Sequence, residues 1–247
     1  MGAGYYMFKK KPFPVCNKLI LFACLFLLSI TSLFADSKNI VYSQAFGIAD
    51  ITNLKISLDY EELRISQIYG DEISIEIGCN NLNRIPAVQL EEGCLSVQTP
   101  GTRKTTKAFR AEAGTVCTVY IYIPQDFLPE TVSINMLGAN LMADVLRATT
   151  SIEITGNSGR IDLMACTTES LTVKNVSGNT TLQKIKADYF DLRSTSGLIF
   201  AELAQAPLAS SSIQNQTGKV QLYYPKDAEL PQIDISNKSG RTEINPF

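Results

Sequence analysis

The chain has 247 residues, with 22 Lys and Arg against 24 Asp and Glu, a net charge of −2, and no histidine. The missing histidine removes the commonest general base and the commonest metal ligand, and we predict no metal site and no cofactor. An acidic chain also lacks the clustered positive charge that binds a phosphate backbone, so we expect no nucleic-acid partner.

The first predicted element is an export signal over residues 1–35. Three lysines at positions 9–11 precede the apolar run KLILFACLFLLSITSLFA, which ends at the small residue Ala35. This pattern is typical of a secretory signal, and we predict cleavage after Ala35. The run is also nearly long enough to stay as an anchor, in which case only this segment would associate with the membrane. Either outcome predicts an exported protein that is periplasmic, associated with the outer membrane or on the cell surface.

Residues 36–125 form the next predicted unit, an N-terminal β segment. The stretches ITNLKISLDYEELRISQIYGDEISIEI (51–77), CLSVQT (94–99) and CTVYIYIP (117–124) alternate apolar and polar residues. A period of two indicates strands with one buried face. We therefore expect a less regular part of the same β structure as the tail, continuous with it, rather than an independent domain.

Residues 126–247 carry an internal repeat. It aligns on a Ser/Thr-Gly pair in SIEITGNSGRIDL, SLTVKNVSGNTTL, YFDLRSTSGLIFA, SSIQNQTGKVQL and QIDISNKSGRTEI, with glycines at Gly159, Gly178, Gly197, Gly218 and Gly240. Each copy reads strand, turn, strand, and can bury its apolar side only by stacking on its neighbours at about 4.8 Å per strand. The sequence therefore predicts an all-β protein, a parallel β-solenoid with coils of about 19–22 residues.

Three turns contain the sequon pattern Asn-x-Ser/Thr, at Asn175, Asn215 and Asn237. Each asparagine lies three residues before a repeat glycine, so the three should stack in one phase of the coil. There the side-chain amide can bond the turn's backbone and adjacent coils, while the glycine takes a positive φ. We interpret the sequons as turn chemistry rather than glycosylation sites.

Four cysteines lie beyond the predicted signal, at Cys79, Cys94, Cys117 and Cys166. In an oxidising compartment they allow up to two disulfides, with three possible connectivities. We favour Cys79–Cys94, which brackets a short loop and could contribute roughly 3 kcal/mol. Buried free thiols are the alternative.

Together these parts resemble the bacterial putative-adhesin family, the DUF4097-type β-solenoid proteins. The resemblance rests on the opening segment 51–77, the middle LSVQT and VYIYIP strands, and a tail of I-x-I-x-x-x-S-G-x-I-x-L coils, and it covers nearly all of 45–245. It implies an exported or surface location and an adhesive or scaffolding role. The family carries no agreed catalytic residues that could be transferred. The four cysteines and the secretory N-terminus depart from its usual pattern.

A carbohydrate-active enzyme is the main rival interpretation, because parallel β-solenoids also host such enzymes. Its acids would be Glu153, Asp191 and Asp234, which recur six residues before the glycine on alternate coils. Two coils span about 9.6 Å, too wide for a retaining pair and at the edge of the inverting range. Thr or Ser occupies the same position in the coils between these acids, which avoids repulsion between like charges. We therefore predict that the acids lie on a solvent-exposed face and that none of them is catalytic.

Tyrosines are the candidate binding residues. Tyr120 and Tyr122 alternate with apolar neighbours and should face away from the core, and Tyr223 and Tyr224 lie near the end of a coil. Exposed tyrosines stack on sugars or anchor protein partners. We predict a non-enzymatic, adhesin-like or envelope scaffold that binds a glycan or an envelope or host surface protein. A third hypothesis is a structural subunit of an envelope assembly that self-associates through an open solenoid end near INPF (244–247).

Overall fold

Strands make up most of the computed structural model, which describes residues 39–100, 116–226 and 233–247. The predicted signal segment 1–35 lies outside these residues. The first seven strands are β1 (Ile40–Gly47), β2 (Asn53–Leu58), β3 (Glu62–Ile68), β4 (Glu72–Cys79), β5 (Ala87–Glu91), β6 (Cys94–Gln98) and β7 (Cys117–Pro124). The remaining nine are β8 (Thr131–Met136), β9 (Leu141–Ala143), β10 (Leu146–Arg147), β11 (Ser151–Gly156), β12 (Ile161–Leu163), β13 (Cys166–Ser177), β14 (Thr180–Leu203), β15 (Ser211–Tyr224) and β16 (Ile233–Pro246). Two single-turn 3-10 helices, Ile48–Asp50 and Leu82–Arg84, are the helical elements of the described chain.

The C-terminal strands stack in parallel as the faces of a solenoid. The first face holds the strands that precede each turn glycine. In spatial order these are β8, β11, residues 170–175 of β13, residues 189–194 of β14, and the first parts of β15 and β16. The second face holds the strands that follow the glycine. These are β9, β12, residues 180–182 and 198–202 of β14, and the last parts of β15 and β16. A short third face joins β10 to residues 166–168 and 185–187. The predicted parallel β-solenoid is confirmed.

Aliphatic side chains share one column inside the first face. Ile154 pairs with Val173, Val173 with Leu192, and Leu192 with Ile213 in consecutive coils. All four are at most 1% exposed. Complete burial of such a side chain stabilises the fold by about 1.5–3 kcal/mol, so the column is a main source of the solenoid's stability.

The N-terminal strands extend both faces, but not in chain order. On the first face β2 lies between β8 and β6, with Leu54 beside Val132 although the two are far apart in sequence. On the second face β3 lies between β9 and β7. The outermost strands change direction, because β5 pairs with β6, and β1 and β7 pair with β4, in antiparallel fashion. Residues 40–124 thus join the solenoid through parallel pairing and end it with antiparallel strands.

The predicted Cys79–Cys94 disulfide is wrong. Cys79 is bonded to Cys117, with their Cα atoms 4.1 Å apart. The two cysteines are directly opposite each other in the antiparallel β4–β7 pair of the second face, whereas Cys94 lies beside Asn53 on the first face. The intervening segment crosses from one face to the other, so closeness in sequence does not bring Cys79 and Cys94 together. Cys94 is a half-buried free thiol and Cys166 a buried one.

Candidate functional site

The asparagines of the turns form a column that ties successive coils together. Nδ2 of Asn175 donates to the carbonyl oxygen of Gly159 at 3.1 Å, that of Asn215 to Gly197 at 3.2 Å, and that of Asn237 to Gly218 at 3.3 Å. Each bond reaches the preceding coil and supplies a donor to a backbone carbonyl of its turn. Asn175 and Asn215 are only 2% exposed, so in the folded chain their amides are enclosed rather than presented to solvent.

The turn glycines allow the coils to approach closely. Gly178 has φ +115°, and a Cβ on it would lie 2.1 Å from the carbonyl oxygen of Gly159. Only glycine tolerates this backbone conformation together with this contact. Gly197, Gly218 and Gly240 repeat the same arrangement in the following coils.

The first tyrosine pair lies on the outer side of the second face. Tyr120 and Tyr122 are half-buried, while the residues between and beside them point into the core. Tyr120 is flanked by Glu76 and Arg64, whose guanidinium carbon lies 6.0 Å from the ring centroid, within range of a cation–π contact. The hydroxyl of Tyr122 donates to Oε2 of Glu76 at 3.3 Å. These contacts hold both rings against the sheet.

The second tyrosine pair is divided between surface and core. Tyr223 packs on Phe200, with ring centroids 5.3 Å apart. Tyr224, the next residue, is partly buried against the hydrophobic core. Tyr223 therefore presents its ring on the second face, six strands away from Tyr122, a distance of about 29 Å. Tyr224 contributes to packing, and the structure does not bring the four tyrosines together in one pocket.

Two methionines lie on the same outer surface between the tyrosine pairs. Met142 on β9 is 47% exposed, and Met164, directly after β12, is 50% exposed. Met142 is in register with Arg64 of the neighbouring strand. The second face thus carries apolar side chains at intervals along its length. The repeat alignment did not reveal them, because the positions equivalent to Met142 hold the polar residues Asp162 and Thr181 in the next two coils.

The acidic residues of the carbohydrate-active enzyme hypothesis lie at equivalent positions of the coils but in different environments. Glu153, Thr172, Asp191, Ser212 and Asp234 are paired in consecutive coils. Glu153 and Asp234 are exposed, whereas Asp191 is only 5% exposed and accepts hydrogen bonds from Arg193 Nε at 2.9 Å and Ser212 Oγ at 2.7 Å. Burial opposes its ionisation, but these bonds and the charges of Arg193 and Lys174 outweigh it and lower the pKa of Asp191. An ionised, bonded carboxylate is poorly suited to donate a proton as a general acid.

A polar groove on the first face was not identified from the sequence. It has a volume of about 350 Å³ and crosses four coils beside the asparagine column. Its cationic residues are Lys174, Arg193 and Lys238, which lie one residue before or after the asparagine position of their coil. Their repeat positions were visible in the alignment, but the concave surface was not. It forms where Asn175, Ser194 and Asn215 are buried between outward-facing neighbours.

No group of three or more His, Cys, Asp or Glu side chains that could hold a metal ion occurs in the described ranges. Within the same ranges, no helix is long and apolar enough to cross a membrane.

Known proteins with a similar fold include a "putative adhesin" from Bacteroides fragilis, with 11% identity over 83% of this chain and 96% of that chain, and a TM-score of 0.48. A "putative adhesin" from Parabacteroides merdae has 14% identity, 83% and 95% coverage and a TM-score of 0.38. A "putative lipid binding protein" from Parabacteroides distasonis has 12% identity, 83% and 96% coverage and a TM-score of 0.42. No curated protein matches the chain.

The chain also matches a protein family over most of its length. The model described as Toastrack DUF4097 matches residues 51–245, which include the N-terminal strands from β2 onward and all five glycine turns. This range agrees with the extent of the solenoid. The chain belongs to the Toastrack DUF4097 family.

Proposed function

We propose that this protein is a non-enzymatic, exported scaffold of the adhesin type, which binds a glycan or a surface protein through its second face. The observation that carries the proposal is the outer surface of that face, where Tyr122, Met142, Met164 and Tyr223 project from one continuous sheet. Exposed aromatic side chains spaced along one ordered surface can each anchor a partner that extends along it. Tyrosine and methionine also provide large contact area for a partner.

The rigidity of the sheet supports this role. Each strand of the second face is hydrogen-bonded to its neighbours, and the side chains beneath it, such as Leu63, Ile161 and Ile199, are at most 1% exposed. A surface that is already ordered loses little conformational entropy on binding. A long, weakly curved ligand such as a polysaccharide or an extended protein surface suits such a face better than a small molecule does.

The same reasoning favours binding over catalysis. Asp191 is held by Arg193 and Ser212, and the adjacent coils place Thr172 and Ser212 rather than a second carboxylate beside it. A scaffold needs a stable surface, and the hydrogen-bonded strands of successive coils supply one.

The proposal is tested by a binding screen of the purified protein against glycan arrays and intact cell surfaces. Tyr223→Ala combined with Met164→Ala should weaken binding about tenfold or more, because both side chains would contact the partner. Tyr69→Ala is the matched control, since Tyr69 is 88% exposed on a turn. Equal binding by both variants and the parent protein would exclude the second face as the binding surface.

Export is tested separately, by fractionating cells and sequencing the N-terminus of the protein. We expect a chain that begins at Asp36 and is found outside the cytoplasm. An intact N-terminus in the cytoplasmic fraction would contradict the exported location, whereas an intact N-terminus in a membrane fraction would indicate the uncleaved anchor.

A second candidate function is self-association through the last coil. Ile244 in β16 is 49% exposed, whereas its partner Leu222 in β15 is 1% exposed. Within the described residues β16 pairs only with β15, which leaves one edge of the strand available. Such an edge with apolar neighbours can pair with another chain. Sedimentation that depends on protein concentration, and its loss in Ile244→Lys, would support this function over a monomeric adhesin.

A further inference from the structure

The groove beside the asparagine column is a positively charged site in an acidic protein. The chain's net charge is −2, yet Lys174, Arg193 and Lys238 line the groove and no acidic residue is among its lining residues within the described chain. Lys174 and Arg193 are direct neighbours in the register of β13 and β14. Their positive charges repel each other, and the carboxylate of Asp191, which is paired with Arg193 and attracted by Lys174, offsets one of the three cations and leaves the groove with excess positive charge.

The cations of the groove remain available to a ligand. Neither Lys174 nor Lys238 makes an ion pair or a side-chain hydrogen bond with any described residue. Arg193 uses Nε for Asp191, and its two terminal nitrogens have no partner among the described residues. The planar guanidinium can therefore still bind a carboxylate or sulfate through those nitrogens.

The remaining lining indicates what carries the negative charge. Gln214, Gln216 and Ser236 extend the groove, and their amide and hydroxyl groups can both donate and accept hydrogen bonds. This suits sugar hydroxyls, which do the same. Val176 is the one large apolar side chain of the groove in the described chain, which gives a peptide no pocket for an anchor residue. No aromatic ring lines the groove there for a nucleic-acid base to stack on.

We propose that this groove binds an acidic polysaccharide, with Lys174, Arg193 and Lys238 contacting its anionic groups and the amide and hydroxyl side chains contacting its hydroxyl groups. The inference rests on the proposed adhesin-type function and assigns it a second, distinct surface on the first face. From the coil of Lys174 to the coil of Lys238 there are three strand steps, about 14 Å. A single sugar acid cannot reach both lysines, so a chain of several units is required.

The test measures binding of the purified full-length protein to polygalacturonate, with neutral dextran as the reference polymer. The double variant Lys174→Gln/Lys238→Gln should weaken binding to polygalacturonate about tenfold, because two charge-assisted contacts are lost. Lys184→Gln/Lys186→Gln is the matched control. It removes the same charge from two exposed lysines of another part of β14, so its affinity should stay within about twofold of the parent.

Several outcomes decide the inference. Loss of binding in the groove variant alone supports it, as does much weaker competition by monomeric galacturonate than by the polymer. Equal weakening in both double variants would show a nonspecific charge effect and overturn it, as would equal binding to dextran. Binding to dextran sulfate but not to polygalacturonate, lost in the groove variant, would keep the anionic site and identify sulfate as the group.

The two proposals can fail independently. If Tyr223→Ala/Met164→Ala abolishes binding to surface glycans while polygalacturonate is never bound, the adhesin-type function stands and the groove inference fails. If polygalacturonate binding requires Lys174 and Lys238 while the second-face variant changes nothing, the groove inference stands and the second-face assignment fails.

Discussion

Nδ2 of Asn215 donates a hydrogen bond of 3.2 Å to the carbonyl oxygen of Gly197, which lies in the preceding coil. Asn215 is 2% exposed, so this carbonyl has little access to water as an alternative donor. The bond therefore couples two successive turns through residues that are 18 positions apart in sequence. The same geometry at Asn175 makes it a repeated device of the solenoid rather than a local feature.

The first prediction concerns this bond. Asn215→Ala should lower the free energy of unfolding by about 1–3 kcal/mol, because the carbonyl of the partly buried Gly197 loses its donor. Gln216→Ala, at the exposed neighbouring position, should change it by no more than about 0.5 kcal/mol. Denaturant unfolding of both variants measures the difference. An Asn215→Ala protein as stable as the parent would mean that the asparagine column does not stabilise the turns.

The second prediction concerns the close approach of the glycines. Gly197 has φ +113°, and a Cβ there would lie 2.3 Å from the carbonyl oxygen of Gly178. Gly197→Ala combines backbone strain with a backbone clash and should cost about 3 kcal/mol or more. Gly47→Ala is the control, since Gly47 has φ −63° and no atom within 4 Å of the added Cβ. Similar melting temperatures for the two variants would contradict the stacked-turn geometry.

The third prediction concerns the charge of Asp191. Its pKa is lower in the folded than in the unfolded chain, so its contribution to stability is present above the unfolded pKa of about 3.9 and is lost as the pH falls through the folded pKa. Asp191→Asn should reduce the free energy of unfolding by about 1 kcal/mol at pH 7, with a smaller difference at pH values well below 4.

Unfolding curves of Asp191→Asn and the parent protein at several pH values measure this difference. A gap that grows on acidification would contradict the assignment of an ionised, hydrogen-bonded carboxylate. Loss of polysaccharide turnover in the same variant would instead favour the enzymatic interpretation.

The fourth prediction concerns the thiols. Burial raises the pKa of the Cys166 thiol to about 12, while Cys94 is half-buried. A thiol-alkylating reagent should therefore modify Cys94 in the native protein and Cys166 only after unfolding, because the thiolate is the reactive form. Mass spectrometry of the labelled peptides distinguishes the two sites. Labelling of Cys79 or Cys117 without a reductant would contradict the disulfide, whose removal should cost roughly 3–4 kcal/mol for a separation of 38 residues.

Much of the C-terminal half was predictable because it repeats. Ile154, Val173 and Leu192 occupy equivalent positions in successive copies, so aligning the copies already assigns each residue its spatial neighbour. The exposed position of Tyr120 followed from simple alternation in β7. The inward position of Tyr224 continues the alternation of Val220 and Leu222, so its parity in the strand, rather than its place near the end of a coil, accounts for its partial burial.

The sequence by itself determined the stacked coils, the strand phase and the glycine turns, since each depends on short-range periodicity and on the conformational freedom of glycine. Only the tertiary structure decided that Cys79 meets Cys117, that β2 lies between β6 and β8, and that Lys174, Arg193 and Lys238 line one groove. Those features depend on pairings between distant, non-repeating segments and, for the groove, on the side chains that stacking brings together from four coils. No local period encodes them, and the free energy of the whole packed sheet selects among the alternatives.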